Sequence, residues 1–226
     1  MKLALLMNNN SYAGREYLKA LRENNIYPDV ISIGAYPPVS EGEEARCGGL
    51  WNPPAEEEVT EGMKVYQFST LKDQALLDFL DKEKYDFAIQ GGTGILKNPV
   101  ISRFKNGILN FHPGDLPSYR GASAPEWQLV EKKPVVCTCH LIDEGIDTGP
   151  IIEKETLPVS KESYHAFRAS VYPNTARFVA RVIKQINGAG GLYVTPQVQD
   201  ESQASYRKYI GDEKIAWIKE NFKELV

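Results

Sequence analysis

The sequence predicts an α/β fold in which helices cover both faces of a mostly parallel, twisted sheet. Short apolar runs alternate with helical segments through the first half of the 226 residues, which is the order of a doubly wound sheet. Apolar residues make up 42 % and charged residues 25 %, as in an ordered globular chain. No apolar run reaches the roughly 18 residues of a membrane-spanning helix.

The first half supplies five strands and three helices. The first strand is an apolar run that turns polar at Asn8, and it is too short for a signal peptide. The cap-rich turn 8–11, Ser69-Thr70 and Asn98-Pro99 mark three helix starts, since proline suits the first helical position. The predicted strands are residues 2–7, 27–34, 65–68, 85–90 and 107–111, and the predicted helices are 13–24, 71–80 and a short one from 98.

The second half changes character. Residues 135–142 and 151–157 are strand-like, and the glycine-rich turn 143–150 between them is too short for a crossover helix. We therefore expect an antiparallel pair that extends the sheet. Helices are predicted over 163–186 and 212–225.

The domain organisation follows from these elements. We expect one domain over residues 1–190 and a short C-terminal extension over 191–226. Residues 36–62, rich in proline, glycine and glutamate, are expected to form a long loop, and loops of that length are usually functional or mobile.

Charge and cysteine content narrow the classes of function. Lys and Arg number 26 and Asp and Glu 30, so the net charge of −4 argues against a general nucleic-acid or anionic-membrane surface. Cys47, Cys137 and Cys139 are odd in number, so we expect no disulfide framework and a reducing cytoplasm. The pair at 137 and 139 lacks the second pair that a zinc site needs, so no metal is predicted.

One predicted strand end carries two chemically useful side chains. Asn110 and His112 alternate onto the same side of their strand, and Pro113 ends it. Ligands bind at the carboxyl ends of strands in open α/β sheets. An amide and an imidazole there could stabilise negative charge that develops on a carbonyl oxygen. The alternative, with equal weight, is that both side chains only cap loops.

A carboxylate follows in the glycine-rich turn. Asp147 lies between Gly145 and Gly149, where the backbone can approach a ligand closely. A carboxylate near an imidazole raises the imidazole pKa and can relay a proton. Asp143 and Glu144 compete for this role, and spacing alone does not choose among the three.

Three motifs in one order give the chain a family resemblance. They are Asn-x-His-Pro from Asn110, Leu-Pro-x-Tyr-Arg-Gly from Leu116 and Asp-Glu-Gly-Ile-Asp-Thr-Gly from Asp143. Together they resemble the formyltransferases that use 10-formyltetrahydrofolate, over roughly residues 1–160. The resemblance implies a Rossmann-like domain, an enzyme with 10-formyltetrahydrofolate as co-substrate, and the catalytic triad Asn110, His112 and Asp147.

The resemblance also implies a mechanism and a folate site. An amine attacks the formyl carbon, Asn110 and protonated His112 stabilise the oxyanion, and Asp147 raises the pKa of His112 and helps move the proton. Two loops are expected to line the folate pocket: Gly92, Thr93, Gly94, Ile95 and Leu96 in one, and Ile142, Asp143, Glu144 and Gly145 in the other. The chain departs from the family by reading Gly114-Asp115 after the His-Pro pair, where Ser-Leu is common.

Four branches of the family differ in the acceptor. The turn 8–11 lacks the Gly-Ser-Asn phosphate loop of glycinamide ribonucleotide enzymes, and the hydrolases usually carry an added N-terminal domain. Too few residues follow Asp147 for the C-terminal barrel of methionyl-tRNA enzymes. The tail from Gln199 to Tyr206, followed by Ile215 to Trp217, is typical of the tRNA and sugar-nucleotide branches.

We therefore expect a short sugar-nucleotide N-formyltransferase. Its acceptor would be the amine of a nucleotide-linked aminodeoxy sugar, of the kind used in bacterial surface polysaccharide. The alternatives are another amine acceptor, either glycinamide ribonucleotide or methionyl-tRNA, and a folate-binding module without catalysis. Relatives with sugar-nucleotide substrates are often dimers, and a homodimer interface is expected from Tyr206, Tyr209, Ile215, Trp217 and Phe222.

Acceptor contacts are assigned by residue type. The helix N-terminus at Asn8, Asn9, Asn10 and Ser11 favours anions, and Arg46 or Arg120 could meet a diphosphate. Tyr36, Trp51 and Tyr119 are candidates for stacking on a base, with Trp51 equally able to anchor the long loop. His140, in an apolar strand, is interpreted as a structural histidine near the site in preference to a chemical one.

Overall fold

A computed structural model describes residues 1–9, 11–35 and 46–226 of the chain. The described strands are β1 Leu3–Asn9, β2 Asp29–Ala35, β3 Val65–Phe68, β4 Phe87–Gln90, β5 Ile108–His112, β6 Arg120–Gly121, β7 Val136–Leu141, β8 Ile151–Thr156 and β9 Tyr206–Arg207. The described α-helices are α1 Tyr12–Glu23, α2 Glu56–Thr60, α3 Gln74–Glu83, α4 Asn98–Ile101, α5 Ala124–Val130, α6 Tyr164–Ala189, α7 Asp212–Glu220 and α8 Phe222–Leu225.

Seven strands form one sheet in the order β3-β2-β1-β4-β5-β7-β8. The first five of these are parallel, whereas β7 is antiparallel to both β5 and β8. The predicted α/β class and the antiparallel pair after β5 are therefore confirmed. The remaining strands, β6 and β9, form a separate parallel pair two residues long.

Both faces of the sheet are buried, as a parallel sheet requires. Alternate residues of β1 enter two different cores: Leu5 lies in the cluster beneath α1 and α6, and Leu6 in the cluster beneath α3. The N-cap of α1 is Ser11, whose hydroxyl accepts from the Gly14 N–H and donates to the Gly91 carbonyl at 2.6 Å. The helices thus cover the sheet on both sides.

The C-terminal segment belongs to the same core. Ile210, Ile215, Ile218, Phe222 and Leu225 all join the cluster beneath α6. The predicted last helix is divided at Asn221 into α7 and α8. The interface prediction was wrong for Ile215 and Phe222 because both side chains are buried within their own chain, whereas Tyr206, Tyr209 and Trp217 remain exposed.

Several elements differ from the sequence prediction. The helix α5 was missed because it is only seven residues long, and β6 and β9 because each is only two residues long. Part of the predicted long loop, residues 56–60, is the helix α2, and residues 36–45 lie outside the described residues. The helix α6 continues three residues beyond 186, with Pro173 in its interior. In the described part of the chain, no helix combines the length and apolar character needed to cross a bilayer.

Gly14 and Gly91 let α1 lie against the loop after β4. A Cβ added at Gly14 would stand 2.8 Å from the Gly91 carbonyl oxygen and 2.9 Å from Met7 Cβ. Backbone and a buried β1 side chain cannot yield without strain. Only glycine therefore permits this approach, which brings the Ser11 end of α1 beside the carboxyl end of β4.

We predict that Gly14→Ala lowers the free energy of unfolding. Forcing a methyl group into this contact costs about 1–3 kcal/mol, which outweighs the gain of up to about 1 kcal/mol that alanine brings to a helix. Urea unfolding measures the change. Gly188→Ala, in α6 with open space around the added Cβ, is the matched control and should be neutral or stabilising. Equal stabilisation by both substitutions would contradict the close contact.

Candidate active site

The end of β5 places an amide and an imidazole at the carboxyl edge of the sheet. Asn110 and His112 lie two residues apart on β5 and so share one side of the strand. The antiparallel register of β5 with β7 sets Asn110 directly opposite His140. A third polar side chain therefore enters this edge from the neighbouring strand.

The carboxylate of Asp147 joins these side chains. Its Oδ1 lies 3.4 Å from Asn110 Nδ2 and 3.6 Å from His140 Nε2. Its Oδ2 lies 3.6 Å from His112 Nδ1 and accepts the Gly121 backbone N–H at 2.8 Å. One carboxylate thus faces an amide, two imidazoles and a backbone donor.

The three acidic residues of the turn before β8 have different surroundings. Asp143 Oδ1 accepts from the Gly145 N–H at 3.1 Å and from Thr148 Oγ1 at 2.5 Å, so its carboxylate holds the turn itself. Glu144 is exposed. Asp147 has a φ of +56°, in the left-handed region, and its side chain is only 11 % exposed. Among the three, Asp147 is the residue whose carboxylate reaches Asn110 and both histidines.

Burial and charge act in opposite directions on Asp147. Burial alone would raise the pKa of its carboxyl, but the polar contacts with His140 and His112 and the hydrogen bond from the Gly121 N–H hold the pKa below its usual value. The carboxyl is therefore ionised at neutral pH.

His112 is held neutral by its surroundings. Burial lowers the pKa of His112 below its ordinary value, and the opposing influence of Asp147 does not overcome it. Because its Nε2 lies 2.6 Å from the Tyr119 carbonyl oxygen, which can only accept, the neutral ring carries its proton on Nε2. The expectation of a protonated His112 is not supported, since burial lowers its pKa by more than Asp147 raises it.

His140 is a bonded, buried side chain that also reaches the site. Its Nδ1 lies 2.8 Å from the Leu141 carbonyl oxygen and therefore carries the proton. The unprotonated Nε2 then accepts the Asn110 amide at 3.1 Å. This agrees with a satisfied histidine near the site, and it gives His140 the further part of orienting Asn110.

A cleft of about 120 Å³ opens beside these residues. Its lining includes Asn110, Asp147 and six residues predicted for folate, which are Gly94, Ile95, Leu96, Ile142, Asp143 and Gly145. The side chains of Ile95 and Ile146 are exposed there, 60 % and 41 % respectively. Exposed apolar surface in a cleft with a few convergent polar groups is typical of a site for a flat organic ligand.

Three predicted folate residues lie beside the cleft lining and not in it. Gly92 lies against Ser11, where an added Cβ would stand 2.3 Å from the hydroxyl oxygen, and Thr93 is buried. Glu144 lies at the rim, where its carbonyl accepts the Lys97 ammonium at 3.4 Å and so joins the two loops. The packing of the backbone decides which residues of the two loops line the cleft, and the sequence does not show that packing.

The residues predicted for an anion at the end of β1 are engaged inside the chain. The Asn8 amide donates to the Ile33 carbonyl at 2.6 Å, and Asn9 accepts the Ser32 hydroxyl. Ser11 is buried as the N-cap of α1. Their side chains are thus committed to other strands, and Asn10 lies outside the described residues.

Tyr119 and Arg120 are also engaged. The Tyr119 hydroxyl donates to Glu131 at 2.6 Å, and its ring faces the Arg207 guanidinium. Arg120, 6 % exposed, donates to Gln199 and to Glu201. Both side chains support the loop behind the site, so base stacking by Tyr119 and diphosphate binding by Arg120 are not supported: long-range partners occupy them.

The contacts of Trp51 favour the anchor interpretation. Its ring stacks on Tyr172 with centroids 4.3 Å apart, and its Nε1–H donates to Glu16 at 3.3 Å. Stacking on α6 and bonding to α1 fix this end of the loop. Arg46 lies beside Tyr209, with its guanidinium 5.0 Å from the ring centroid, and Tyr36 is outside the described residues.

Sequence reasoning did not select several residues that meet at the site. The cleft also contains Gln90, Ile146 and His140, and Gln199 bonds the Asp147 turn from the C-terminal segment. The strand pairing of Asn110 with His140 could have been found from alternation once β7 was placed beside β5, whereas Gln199 carries no local signal. Within the described residues, no group of three or more His, Cys, Asp or Glu could hold a metal ion.

The departure at Gly114 has a local reason. A Cβ at this position would stand 2.4 Å from His112 Nε2. Glycine therefore leaves room for the imidazole to reach the Tyr119 carbonyl. The next residue, Asp115, is bound to Lys154 at 2.6 Å on the outer side of the strand end.

We predict that His112 titrates below its ordinary pKa, and that Asp147→Asn lowers this pKa further. Burial disfavours the imidazolium, and the substitution removes the carboxylate that opposes burial. The chain has only three histidines, so ¹⁵N NMR of the imidazole nitrogens resolves each titration. Asp200→Asn, at an exposed carboxyl outside the site, is the control. A His112 pKa above its ordinary value would contradict the account, as would one unaffected by Asp147→Asn.

A family comparison spans most of the described chain. The model of the formyl transferase family matches residues 1–172. The methionyl-tRNA formyltransferase of Lachnospira eligens is 27 % identical over 186 residues, 80 % of this chain and 57 % of that protein. The enzyme of the same name from Deinococcus radiodurans is 34 % identical over 114 residues, 50 % of this chain and 34 % of that protein. The chain thus spans between a third and three fifths of these relatives' lengths.

Solved structures share the fold at lower identity. Glycinamide ribonucleotide transformylase 1 from Symbiobacterium toebii aligns with a TM-score of 0.59 and 21 % identity, over 88 % of this chain and 94 % of that one. The N-formyltransferase from Helicobacter canadensis, in complex with folinic acid and dTDP-3-aminofucose, aligns with a TM-score of 0.60 and 19 % identity, over 92 % and 70 %. Because the family model covers more than half of its residues, the chain belongs to the formyl transferase family.

Proposed function

We propose that this chain transfers the formyl group of 10-formyltetrahydrofolate to an amine carried by a nucleotide-linked aminodeoxy sugar. The observation that carries the proposal is the meeting of an amide, a neutral imidazole and an ionised carboxylate at one end of an apolar-walled cleft. Membership of the formyl transferase family supports the same reaction class.

The cleft suits the folate donor. The exposed faces of Ile95 and Ile146 would cover a flat pterin, and the backbone of the two loops can bond its ring edge. The Lys97 ammonium, bonded to the Glu144 carbonyl, ties the loops together at the rim. A pterin between these loops would place the formyl group toward Asn110 and Asp147, which lie at the cleft's polar end.

Asn110 is the donor for the oxyanion. Its Nδ2 makes a short bond to His140 and a longer one, 3.4 Å, to Asp147. A formyl oxygen can replace the longer contact while His140 keeps the amide oriented. As the amine nitrogen forms its bond to the formyl carbon, the carbonyl electron pair moves to oxygen, and the fixed N–H stabilises the charge.

Asp147 and His112 handle the proton. The ionised Asp147 stabilises the positive charge that develops on the attacking amine and accepts its proton, directly or through water. His112 Nδ1, unprotonated and 3.6 Å away, can share this proton as an imidazolium beside the carboxylate. The bond from the formyl carbon to the folate nitrogen then breaks, the proton passes to that nitrogen, and tetrahydrofolate and the formylated amine are released.

Charge supports a small acceptor over a nucleic acid. The net charge of the chain is −4. A tRNA acceptor would need cationic side chains for its phosphates. The turn at Asn8 to Ser11 also lacks a glycine, and its described side chains bond within the chain, which argues against a ribonucleotide phosphate loop there.

A methionyl-tRNA acceptor is the second candidate. The observation in its favour is that the curated relatives from Lachnospira eligens and Deinococcus radiodurans are methionyl-tRNA formyltransferases. Both candidates use the same donor and the same Asn110, His112 and Asp147 chemistry. They differ only in what presents the amine.

We predict that Asn110→Ala, His112→Ala and Asp147→Ala each lower turnover by roughly a hundredfold or more, as for the loss of an oxyanion donor or a proton carrier. Formation of tetrahydrofolate with an amino-sugar nucleotide measures turnover, and thermal unfolding checks that each variant folds. His165→Ala, which removes an imidazole outside the cleft, should stay near the wild-type rate. Near-normal turnover of His112→Ala would refute the assigned mechanism.

We predict that Ile95→Ala weakens the binding of 5-formyltetrahydrofolate, an unreactive donor analogue, about fivefold. The substitution removes apolar surface worth about 1 kcal/mol from the cleft wall. Calorimetric titration gives the dissociation constant. Val198→Ala, at an 88 % exposed side chain outside the cleft, should leave it unchanged. Equal affinity for both variants would place the pterin elsewhere.

We predict that a nucleoside-diphosphate amino sugar is formylated while glycinamide ribonucleotide and charged initiator tRNA are not. A panel of the three acceptors with 10-formyltetrahydrofolate, followed by mass spectrometry, tests this. Trp51→Ala should lower the unfolding temperature and leave acceptor affinity nearly unchanged, because its ring is an anchor on Tyr172. Efficient formylation of the tRNA would replace the sugar acceptor with the second candidate.

A further inference from the structure

Gln199 is a buried amide in the C-terminal segment, far along the chain from the residues it touches. It lies just before the 3₁₀ turn Glu201–Gln203 and is 6 % exposed. Its Nε2 donates to the carbonyl of Asp147 at 2.9 Å and to the carbonyl of Gly149 at 2.8 Å. One amide group therefore joins both carbonyls of the turn that carries the Asp147 carboxylate.

The oxygen of the same amide also has two hydrogen-bond partners. Gln199 Oε1 accepts from Arg120 Nε at 3.1 Å and from Arg120 Nη2 at 2.8 Å. All the hydrogen-bonding positions of the side chain are thus filled, two as donor and two as acceptor. Arg120 is in turn held by Glu201 from the solvent side.

Arg120 also links Gln199 to the Asp147 carboxylate, through the next residue in the chain. Its neighbour Gly121 donates the backbone N–H that Asp147 Oδ2 accepts at 2.8 Å. The strand β6, which consists of Arg120 and Gly121, is paired with β9 in the C-terminal segment. Asp147 is therefore held by two hydrogen bonds. Gln199 donates to its backbone carbonyl and the Gly121 N–H donates to its carboxylate, and both bonds depend on residues 199–207.

The turn needs such support. Asp147 has a left-handed φ of +56°, a conformation that carries some backbone strain in any non-glycine residue, although less in Asp than in most. A Cβ at Gly149 would stand 1.8 Å from the Leu141 carbonyl oxygen, so the turn is pressed against β7. Without the Gln199 donor, the Asp147 carbonyl and the buried Gly149 carbonyl would lose this partner, and the turn would relax.

We propose that Gln199 is a positioning residue for formyl transfer, acting by fixing the turn that aims the Asp147 carboxylate at Asn110 and His112. This inference rests on the proposed function of the same site. It assigns the C-terminal segment a part in the chemistry, through a side chain that does not line the cleft.

Gln199→Glu tests the donor with little change of shape. The carboxylate keeps the acceptor for Arg120 but sets an oxygen against the Asp147 and Gly149 carbonyls. Gln199→Ala is the second variant, which removes the donor without adding charge. Gln197→Glu, at an exposed side chain two residues away, is the matched control for the added charge.

Both Gln199 variants should lower kcat at least tenfold, whereas Gln197→Glu should stay within twofold. In both, the ¹⁵N NMR titration of His112 should move to lower pH, as in Asp147→Asn, because a displaced carboxylate no longer supports the imidazolium. This shift would not follow from a merely structural role. Thermal unfolding identifies any variant that does not fold, and the other variant then decides.

The outcomes separate the two levels of the proposal. A folded Gln199 variant with kcat within twofold of wild type, or with reduced kcat and an unmoved His112 titration, would overturn the positioning role. If the wild-type chain transfers no formyl group to any acceptor, the proposed function fails, and the NMR titration alone still decides whether Gln199 aims Asp147.

Discussion

The Asp147 carboxylate must remain ionised in a largely buried position, and the rest of the site depends on that constraint. Burial opposes the charge, so the carboxylate persists only while polar groups surround it, among them the donors Asn110 Nδ2 and the Gly121 N–H. The surrounding groups come from three strands: Asn110 and His112 on β5, His140 on β7, and the Gly121 N–H on β6. The fold at this edge can be understood as the means of bringing them together.

The switch from parallel to antiparallel pairing makes this meeting possible. Between β4 and β5 the strands run parallel, which opens the carboxyl edge to a ligand as in other α/β sheets. Antiparallel pairing of β5 with β7 then places His140 opposite Asn110, and β7 leaves the sheet directly into the turn with Asp147. Because Leu141 pairs with Leu109, the turn begins next to the Asn110 level of β5, and Asp147 reaches Asn110 and His112 from there.

Much of the fold and part of the site could be predicted from the sequence, because both depend on local patterns. Alternation on β5 predicted that Asn110 and His112 share one side, and the short turn predicted the antiparallel pair. Long-range partners decided the rest. In the sequence alone, Arg120 cannot be told from a surface cation, because its partner Gln199 lies 79 positions away. The neutral state of His112 follows from its burial, which no local pattern shows.

If this cleft presents a folate formyl group to Asn110 and Asp147, a crystal structure with 5-formyltetrahydrofolate will show it. We expect the pterin between the loop at Gly94–Leu96 and the turn at Ile142–Gly145, with the formyl group at the Asn110 and Asp147 end of the cleft. A pterin bound elsewhere, or bound here with its formyl group directed away from Asn110 and Asp147, would contradict it.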